Sequence, residues 1–584
     1  MKTELSLRIA GEAGQGMQTI GTALCKIFTK AGFFIFANQD YMSRIRGGNN
    51  FFLLRVSTAP VYTLRQKSDI IVALDKESVA LHREGLNPGG IIVLDEKKFN
   101  VAAGDNRYLN VPFYGIAREI GGNEIYSNSV TCGFLAGVTG ISCALVKEIL
   151  KATFSKKSEE VIRKNLEAVE AGCDFARKHF TGDAFRLAKG KTTEHILING
   201  NEAIALGAIR AGCTFYSAYP MTPATSIMTT MAHFADRFGI LVEQAEDEIA
   251  AINMAIGASF AGARAMTATS GGGFALMTEG MSLAAITETP VVVVDSQRPG
   301  PATGLPTRTE QADLDFLLHG GHGEWAKVLF SPGTAEQAFF LTIRAFELAE
   351  KYQVPVLIMT DQYLADTIRN IAPFDTDRVA VRRHIISKED SAGITDYKRY
   401  RLTDSGISPR AIPSWINDVI YADSDEHTEE GHITESAAVR KTMVNKRFLR
   451  RMELLANETE EPTTHNLKGA DIILVGYGST YGTLKEVSEI FDEKRIGMVH
   501  FSQVWPFPVA ATRKLLEGAS CVMTVENNAG AQLARLIRRE TGMTIGRSIL
   551  RYDGRPFNLD YLTERIKKFY KPSAISSQLS TAEG

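Results

Sequence analysis

Three times along this chain a short strand pattern runs straight into a glycine turn and out into a helix pattern, and that recurrence limits the fold more than any other feature. Residues 5–9 alternate apolar and polar side chains, meet Gly11-Glu-Ala-Gly14-Gln-Gly16, and are followed by Ile20, Leu24, Ile27 and Phe28 at helical spacing. Residues 194–200 lead into an alanine-rich helix over 202–211, and residues 471–478 open a third such unit. Between these starts lie continuous apolar, β-branched runs at 69–74, 90–95, 290–295 and 355–361, the pattern of strands buried on both faces. Strands separated by helix-length segments build parallel sheets whose sites lie at the carboxyl ends. With 584 residues the chain has room for several such cores. The fold expected is three α/β domains, at residues 1–185, 194–377 and 467–584. A charged, irregular connection over 378–466 is expected to be mostly surface, with one helix near 437–455.

Composition closes off other classes. Hydrophobic residues at 44% and charged ones at 23% exclude global disorder and fibres. A formal net charge of −2 supplies no field for nucleic acid or an anionic membrane, so neither is expected as a partner. No stretch stays apolar for the length of a membrane span. The first ten residues carry charges where a signal peptide needs an apolar run, so a cytoplasmic protein with reduced thiols is expected. Its six cysteines, Cys25, Cys132, Cys143, Cys173, Cys213 and Cys521, include no CxxC spacing. That argues against a disulfide framework and against a cysteine-held zinc or iron–sulfur site in this chain.

Several segments hold residues suited to chemistry. The first glycine turn is spaced GxxGxG rather than GxGxxG, and Asp40 lies later than a ribose-binding acid and follows no clear strand. A dinucleotide site and a tight turn packing helix on strand are both open. Arg44 and Arg46, against Gly47-Gly48, are either solvated surface groups or cations for a ligand near exposed backbone. Tyr219-Pro220-Met221-Thr222-Pro223 stiffens a turn after a strand and presents hydroxyls, while Thr222 or Thr225 can equally cap the next helix. Glu248 heads a helix too apolar to lie on the surface, so its carboxylate is either a cap or chemically active. Ser270-Gly271-Gly272-Gly273 breaks another strand, and the loop over 296–311 sets Arg298 and Arg308 among prolines and hydroxyls, a rigid setting for an anion. His319-Gly-Gly-His322 has metal-like spacing without a third ligand nearby, and no metal is expected there.

Together these segments resemble the 2-oxoacid:ferredoxin oxidoreductase family, in the arrangement where a gamma-type domain is fused ahead of the alpha subunit. The residues that carry the resemblance are GEAGQG and YMSRIRGGNN in the first domain. In the second they are YPMTP, EDEIAAINMAIGASFAGARA, TATSGGGFALMTEG, ETPVVVVDSQRPGPATGLPTRTEQ and HGGHGEW, and in the third VWPFP and VENNAGAQLARL. The resemblance implies a gamma-type Rossmann-like domain, a thiamine-diphosphate pyrimidine-type domain and a transketolase C-terminal-like domain. Members decarboxylate a 2-oxoacid with thiamine diphosphate, pass two electrons through iron–sulfur centres to ferredoxin, and release an acyl-coenzyme A. The 2-oxoglutarate branch, yielding succinyl-CoA and CO2, is the one expected, with pyruvate or branched-chain acids as the alternative. A non-redox thiamine transferase or a silent scaffold would be another class; the first domain argues against the former.

Carried over by motif, Glu248 matches the glutamate that hydrogen-bonds the aminopyrimidine N1′, and Thr222 the hydroxyl that meets the 2-oxoacid. Arg308 resembles the arginine that holds the substrate carboxylate, and Arg46, with Arg44 as alternative, the basic residue of the gamma domain. Tyr219, Pro220, Ser270 and Gly271 belong to the cofactor site in the same reading. No GDG motif occurs in the chain. The resemblance therefore places Mg2+, the diphosphate end of the cofactor and a four-iron four-sulfur cluster on a separate beta subunit, in an α2β2 assembly.

Overall fold

In the computed structural model, which describes residues 1–43, 47–100, 107–180, 182–191, 194–491 and 493–570, the strand–helix alternation is built as three α/β sheets within two units. The first unit comprises Met1–Ile198, Asp366–Pro373 and Asn558–Gly584. Its strands are β1 (Glu4–Ala13), β2 (Phe34–Asp40), β3 (Gly47–Ser57), β4 (Ser68–Ala73), β5 (Leu86–Leu94), β6 (Tyr108–Asn110) and β7 (Ile196–Ile198). They lie in the order β6-β5-β4-β1-β3-β2, after which Ile368–Ile371 and β7 complete the sheet. β1, β4, β5 and β6 are parallel, as the buried runs suggest, but β3 is antiparallel to both neighbours. Only a short link separates β2 from β3, and a parallel pair would need a long crossover. Asp40 is the last residue of β2, so it does end a strand, contrary to the reading from sequence.

Helix α1 (Met17–Lys30) buries Ile20, Leu24, Ile27 and Phe28, the residues spaced for it. Gly16 starts it with φ 87°. A Cβ there would meet the Asn128 side chain, 2.6 Å from its Cγ, so both conformation and space require glycine. The helices α2 (Cys143–Thr153) and α3 (Glu159–His179) follow one another through a short turn. Cys143 and Cys173 are disulfide-bonded, with Cα atoms 6.5 Å apart. This corrects the expectation of reduced thiols without disulfides: folding α3 back along α2 brings two cysteines together that no local spacing relates. The remaining four are free, with Cys25, Cys132 and Cys213 buried.

The second unit comprises Asn199–Ala365 and Phe374–Phe557. Its larger sheet contains β8 (Phe215–Ala218), β9 (Leu241–Gln244), β10 (Ala265–Thr269), β11 (Val291–Gln297), β12 (Val328–Phe330) and β13 (Pro355–Asp361). The order is β12-β13-β11-β10-β8-β9, all parallel, and Gln503–Trp505 adds antiparallel to the outer edge of β12. A smaller sheet orders Thr463–His465, Ile496–Phe501, Ile472–Tyr477, Val522–Glu526 and Arg547–Leu550, parallel except for its first strand.

The connection over 378–466 differs from its expectation. Helical turns run from Ala437 through Ala456, near the predicted position. Yet Arg399, Arg410, Lys446, Arg447 and Arg451 along it are buried, not solvated. Glu288, with no exposed surface, accepts from Lys446 Nζ at 2.8 Å and pairs with Arg451, while Arg399 Nη2 donates to the Glu288 carbonyl at 2.6 Å. Burial pushes the Glu288 carboxyl up, but the three cations outweigh it and hold that carboxyl well below the ordinary range. Much of the segment's charge is therefore used to fasten it.

Candidate active site

The carboxyl ends of β8, β10 and β11 and the loop after β9 converge the sequence motifs. β8 ends at Ala218; Tyr219, exposed, follows it, and the turn passes through Thr222 and a cis Pro223 into α4 (Thr225–Phe238). Asn201, wholly buried, donates through Nδ2 to the Pro223 carbonyl at 2.8 Å and to Ser226 Oγ at 2.7 Å, pinning the turn from below. Ala224 is the N-cap of α4, with no side-chain cap, so neither Thr222 nor Thr225 performs the capping that sequence allowed. The Thr222 carbonyl instead accepts from Arg298 Nη1 at 2.8 Å.

Glu248 opens α5 (Glu248–Phe260). The cap belongs to Asp247, whose Oδ1 accepts from the Ala250 N–H at 2.7 Å. Glu248 is only 3% exposed, and its Oε1 has no hydrogen-bond partner among the described residues. Helix α6 (Gly271–Ile286) begins against it: a Cβ on Gly273 would lie 2.6 Å from Glu248 Oε1, so this close approach requires glycine. Ser270 is the N-cap of α6, but its buried Oγ makes no hydrogen bond. The structure thus brings Glu248, Ser270, Gly271 and Gly273 together. Arg298 follows directly on β11; burial pulls its guanidinium below the ordinary value while the charge of Glu248 opposes that.

Arg308 stands half-buried beside Gly554, whose Cβ, if present, would lie 3.2 Å from that of Arg308. Arg298 is the arginine tied by a hydrogen bond to Thr222. Sequence reasoning marked the loop for both and carried forward only Arg308; the signal overlooked is that Arg298 sits at a strand's carboxyl end, where parallel sheets place their sites. Arg46 and Arg44 lie outside the described residues. A buried acid group also went unforeseen. Asp295 at the end of β11 is pushed well up by burial and by Asp313; Asp313 is pushed up to about 6 by burial, and Glu310 to about 7 by burial and Asp313.

Other motif residues hold structure. Gln311 donates through Nε2 to the Tyr477 carbonyl at 3.0 Å, and its backbone N–H to the Asn527 carbonyl at 2.7 Å, joining the loop after β11 to the smaller sheet. His319 uses both ring nitrogens, toward the Asp315 carbonyl and Arg539 Nη1. In the first unit, the glycine turn before α1 borders a cleft of about 410 Å³ lined by Glu12, Gly14, Gly16, Thr19, Tyr41 and Asn50.

Comparison with known proteins follows this division. Residues 206–446 match the family described as "Pyruvate flavodoxin/ferredoxin oxidoreductase, thiamine diP-bdg". Residues 6–175 match "Pyruvate ferredoxin/flavodoxin oxidoreductase", and 470–561 "Pyruvate:ferredoxin oxidoreductase core domain II". A 2-oxoacid:ferredoxin oxidoreductase subunit alpha from Sulfolobus sp is 33% identical, over 97% of both chains. The chain belongs to the 2-oxoacid:ferredoxin oxidoreductase family. Within that family, the 2-oxoglutarate synthase subunit KorA of Methanothermobacter thermautotrophicus is 34% identical over 60% of this chain and 92% of its own. A solved 2-oxoglutarate:ferredoxin oxidoreductase from Magnetococcus marinus, with 2-oxoglutarate, coenzyme A and succinyl-CoA bound, is 32% identical. It superimposes with a TM-score of 0.90 over 97% of this chain and 100% of that one.

As a 2-oxoacid:ferredoxin oxidoreductase subunit, the chain carries the thiamine-diphosphate-binding family segment, and its residues fit that group. A buried, unpartnered carboxylate oxygen at Glu248 and an unpartnered Ser270 hydroxyl are what a heteroaromatic ring with both donors and acceptors needs. No described helix is long and apolar enough to cross a membrane.

Proposed function

We propose that this chain is the alpha subunit of a 2-oxoglutarate:ferredoxin oxidoreductase, which converts 2-oxoglutarate and coenzyme A to succinyl-CoA and CO2 and reduces ferredoxin. A beta subunit would bring Mg2+, the diphosphate-binding domain and a four-iron four-sulfur cluster, in an α2β2 assembly in the cytoplasm. The choice of substrate is supported by the 2-oxoglutarate enzymes among its relatives. The domains carrying it would be the gamma-type one at 1–185, the pyrimidine-type one at 194–377 and the transketolase C-terminal-like one at 467–584, joined by 378–466.

One observation carries the reading: a buried glutamate relieved of its capping duty by Asp247, with an oxygen that none of the described residues satisfies. A lone carboxylate there is costly unless a ligand completes it. Thiamine diphosphate, when bound, supplies the carbon nucleophile that attacks the 2-oxo group and accepts the electrons left by loss of CO2. Glu248 would hold a proton at the aminopyrimidine N1′. Ser270 and Gly271, at the amino end of α6, and Tyr219 with Pro220 would orient the ring. Thr222, presented by a turn that Asn201 and Arg298 fix, would meet the 2-oxoacid. Arg308 would pair with its carboxylate as a planar cation. The cleft at the start of α1 would suit a coenzyme's diphosphate, since the amino end of a helix favours an anion.

The test is Glu248→Gln in the enzyme reconstituted with its beta subunit. Turnover of 2-oxoglutarate should fall by about 10²–10⁴, the range for a removed acid–base group, with the melting temperature kept. Activity within threefold of the parent would return Glu248 to a structural role, and a native preference for pyruvate would overturn the substrate assignment.

A further inference from the structure

The two cysteines joined in the first unit are placed differently. Cys173 lies on the buried face of α3 with no exposed surface, whereas Cys143 is the first residue of α2, partly exposed between exposed Ser142 and Ala144. Ser142, the N-cap of α2, makes no side-chain cap bond, and the first turn carries no acidic residue. The positive end of this 11-residue helix is left to the Cys143 sulfur and favours its thiolate. Cys25, Cys132 and Cys213 are buried; burial pushes their thiols up, and such thiols are inert. The two helices also differ in how they are held. α3 buries six residues from Asn165 to Ala176, Ser129 Oγ donates to Asn165 Oδ1 at 2.6 Å, and a Cβ on Gly172 would collide with the Val130 carbonyl. α2 buries only Val146 and Leu150. Its Lys147 pairs with Glu170 through partly exposed side chains, a kind of pair that is worth little. On its other side α2 borders a cleft of about 650 Å³, across from Lys26 and Lys30 of α1. The disulfide is therefore a main fastening of α2 and a minor one of α3.

We infer that Cys143 and Cys173 are a reversible thiol–disulfide site, at which a small thiol–disulfide couple of the glutathione class fastens α2 to α3 or releases it. In a cytoplasm, where such thiols keep cysteines reduced, the disulfides that do form respond to redox state rather than persist. In the fastening direction the Cys143 thiolate attacks one sulfur of the small disulfide; a mixed disulfide forms on Cys143 and one small thiolate leaves. The Cys173 thiol then gives up its proton, and its sulfur attacks that of Cys143 and displaces the second small thiolate. Two cysteines are oxidised by two electrons, and one small disulfide is reduced to two thiols, which take up the two protons. Release is the reverse, with the small thiol entering at Cys143 because Cys173 has no exposed surface. Once released, α2 keeps its two buried side chains and a surface ion pair, while α3 stays pinned by its own packing.

The test equilibrates the full chain with mixtures of reduced and oxidised glutathione, blocks free thiols at low pH, and follows each cysteine by peptide mass. Cys143 and Cys173 should pass together from thiol to disulfide as the mixture becomes more oxidising, while Cys25, Cys132 and Cys213 remain thiols throughout. A pair that stays oxidised in the most reducing mixture, or reduced in the most oxidising one, overturns the reversible site. Single variants test the order of attack. With oxidised glutathione, Cys173→Ala should trap one glutathione on Cys143, and Cys143→Ala should trap none on Cys173; an adduct on Cys173, or none on either, overturns the entry at Cys143. Hydrogen exchange of the parent chain tests the fastening. Reduction should speed exchange across residues 143–153 by about tenfold or more and leave 159–179 unchanged. Equal exchange in the two redox states, or acceleration of both helices alike, overturns the release of α2. The titration and the exchange measurement need no substitution, so a variant that failed to fold would leave both decisive.

Discussion

Arg298 and Arg308 share one loop but have different surroundings, and that difference can be measured. Arg298 holds the Thr222 carbonyl and senses Glu248, so Arg298→Ala should lower kcat/KM for the 2-oxoacid by about 1.5–3 kcal/mol, the worth of a hydrogen bond from a charged group. Lysine, lacking the planar fork, should restore only part of it. Arg308→Ala should raise KM for the acid and leave thiamine diphosphate affinity near normal; a loss of cofactor affinity with an unchanged KM would remove it from the substrate site. Glu248 was legible in sequence because a charge leading an apolar helix stands out. That Asp247 is the cap was not, since neighbouring acids at a helix start look alike until one is seen bonding the Ala250 N–H. Asp295 and Asp313 were invisible for another reason. Each resembles an ordinary strand end or helix start, and only the folded chain buries Asp295 and lays the Asp313 carboxyl against Gly271.

At the scale of elements, periodicity identified strands and helices well, including α1 and the helical turns from Ala437, but it could not tell which strands pair. The antiparallel β3 follows from a short connection, and the addition of Ile368–Ile371 to the first sheet depends on backbone partners far away in sequence. The connection over 378–466 was misread because its cations find their partners on other elements. Glu288→Gln should cost about 3–5 kcal/mol by stranding Lys446 and Arg451 in the interior, read as a drop in unfolding free energy. Acid should loosen the same segment. Burial opposes ionisation of Glu426 and Glu458, yet Arg447 and Arg440 hold the first at about 2, and Lys351, Tyr352 and Arg344 the second likewise. Carboxyls held below their ordinary value stabilise the fold above the unfolded value, near 4.5, and lose that contribution as pH falls towards 2. Hydrogen exchange should therefore rise in residues 399–458 ahead of β10 and β11 as the pH is lowered through that window; simultaneous loss would show that the fastenings are not specific to the segment.

For the whole molecule, the two sheets of the second unit are not separable parts. Gln311 is bonded into the smaller sheet, and Gln503–Trp505 closes the edge of the larger one. A chain ending at residue 466 should aggregate when expressed, seen as loss of the soluble peak in gel filtration, because β12 would present an open edge. A soluble, folded fragment would contradict this. The paired edge also sets an order of events in the cell. Leu329 pairs with Trp505, and at roughly 5–20 residues per second a ribosome takes on the order of 9–35 s to travel between them. Throughout that interval the nascent larger sheet offers a bare strand to any neighbour, so the burden of keeping it single falls on chaperones or on the pace of translation itself.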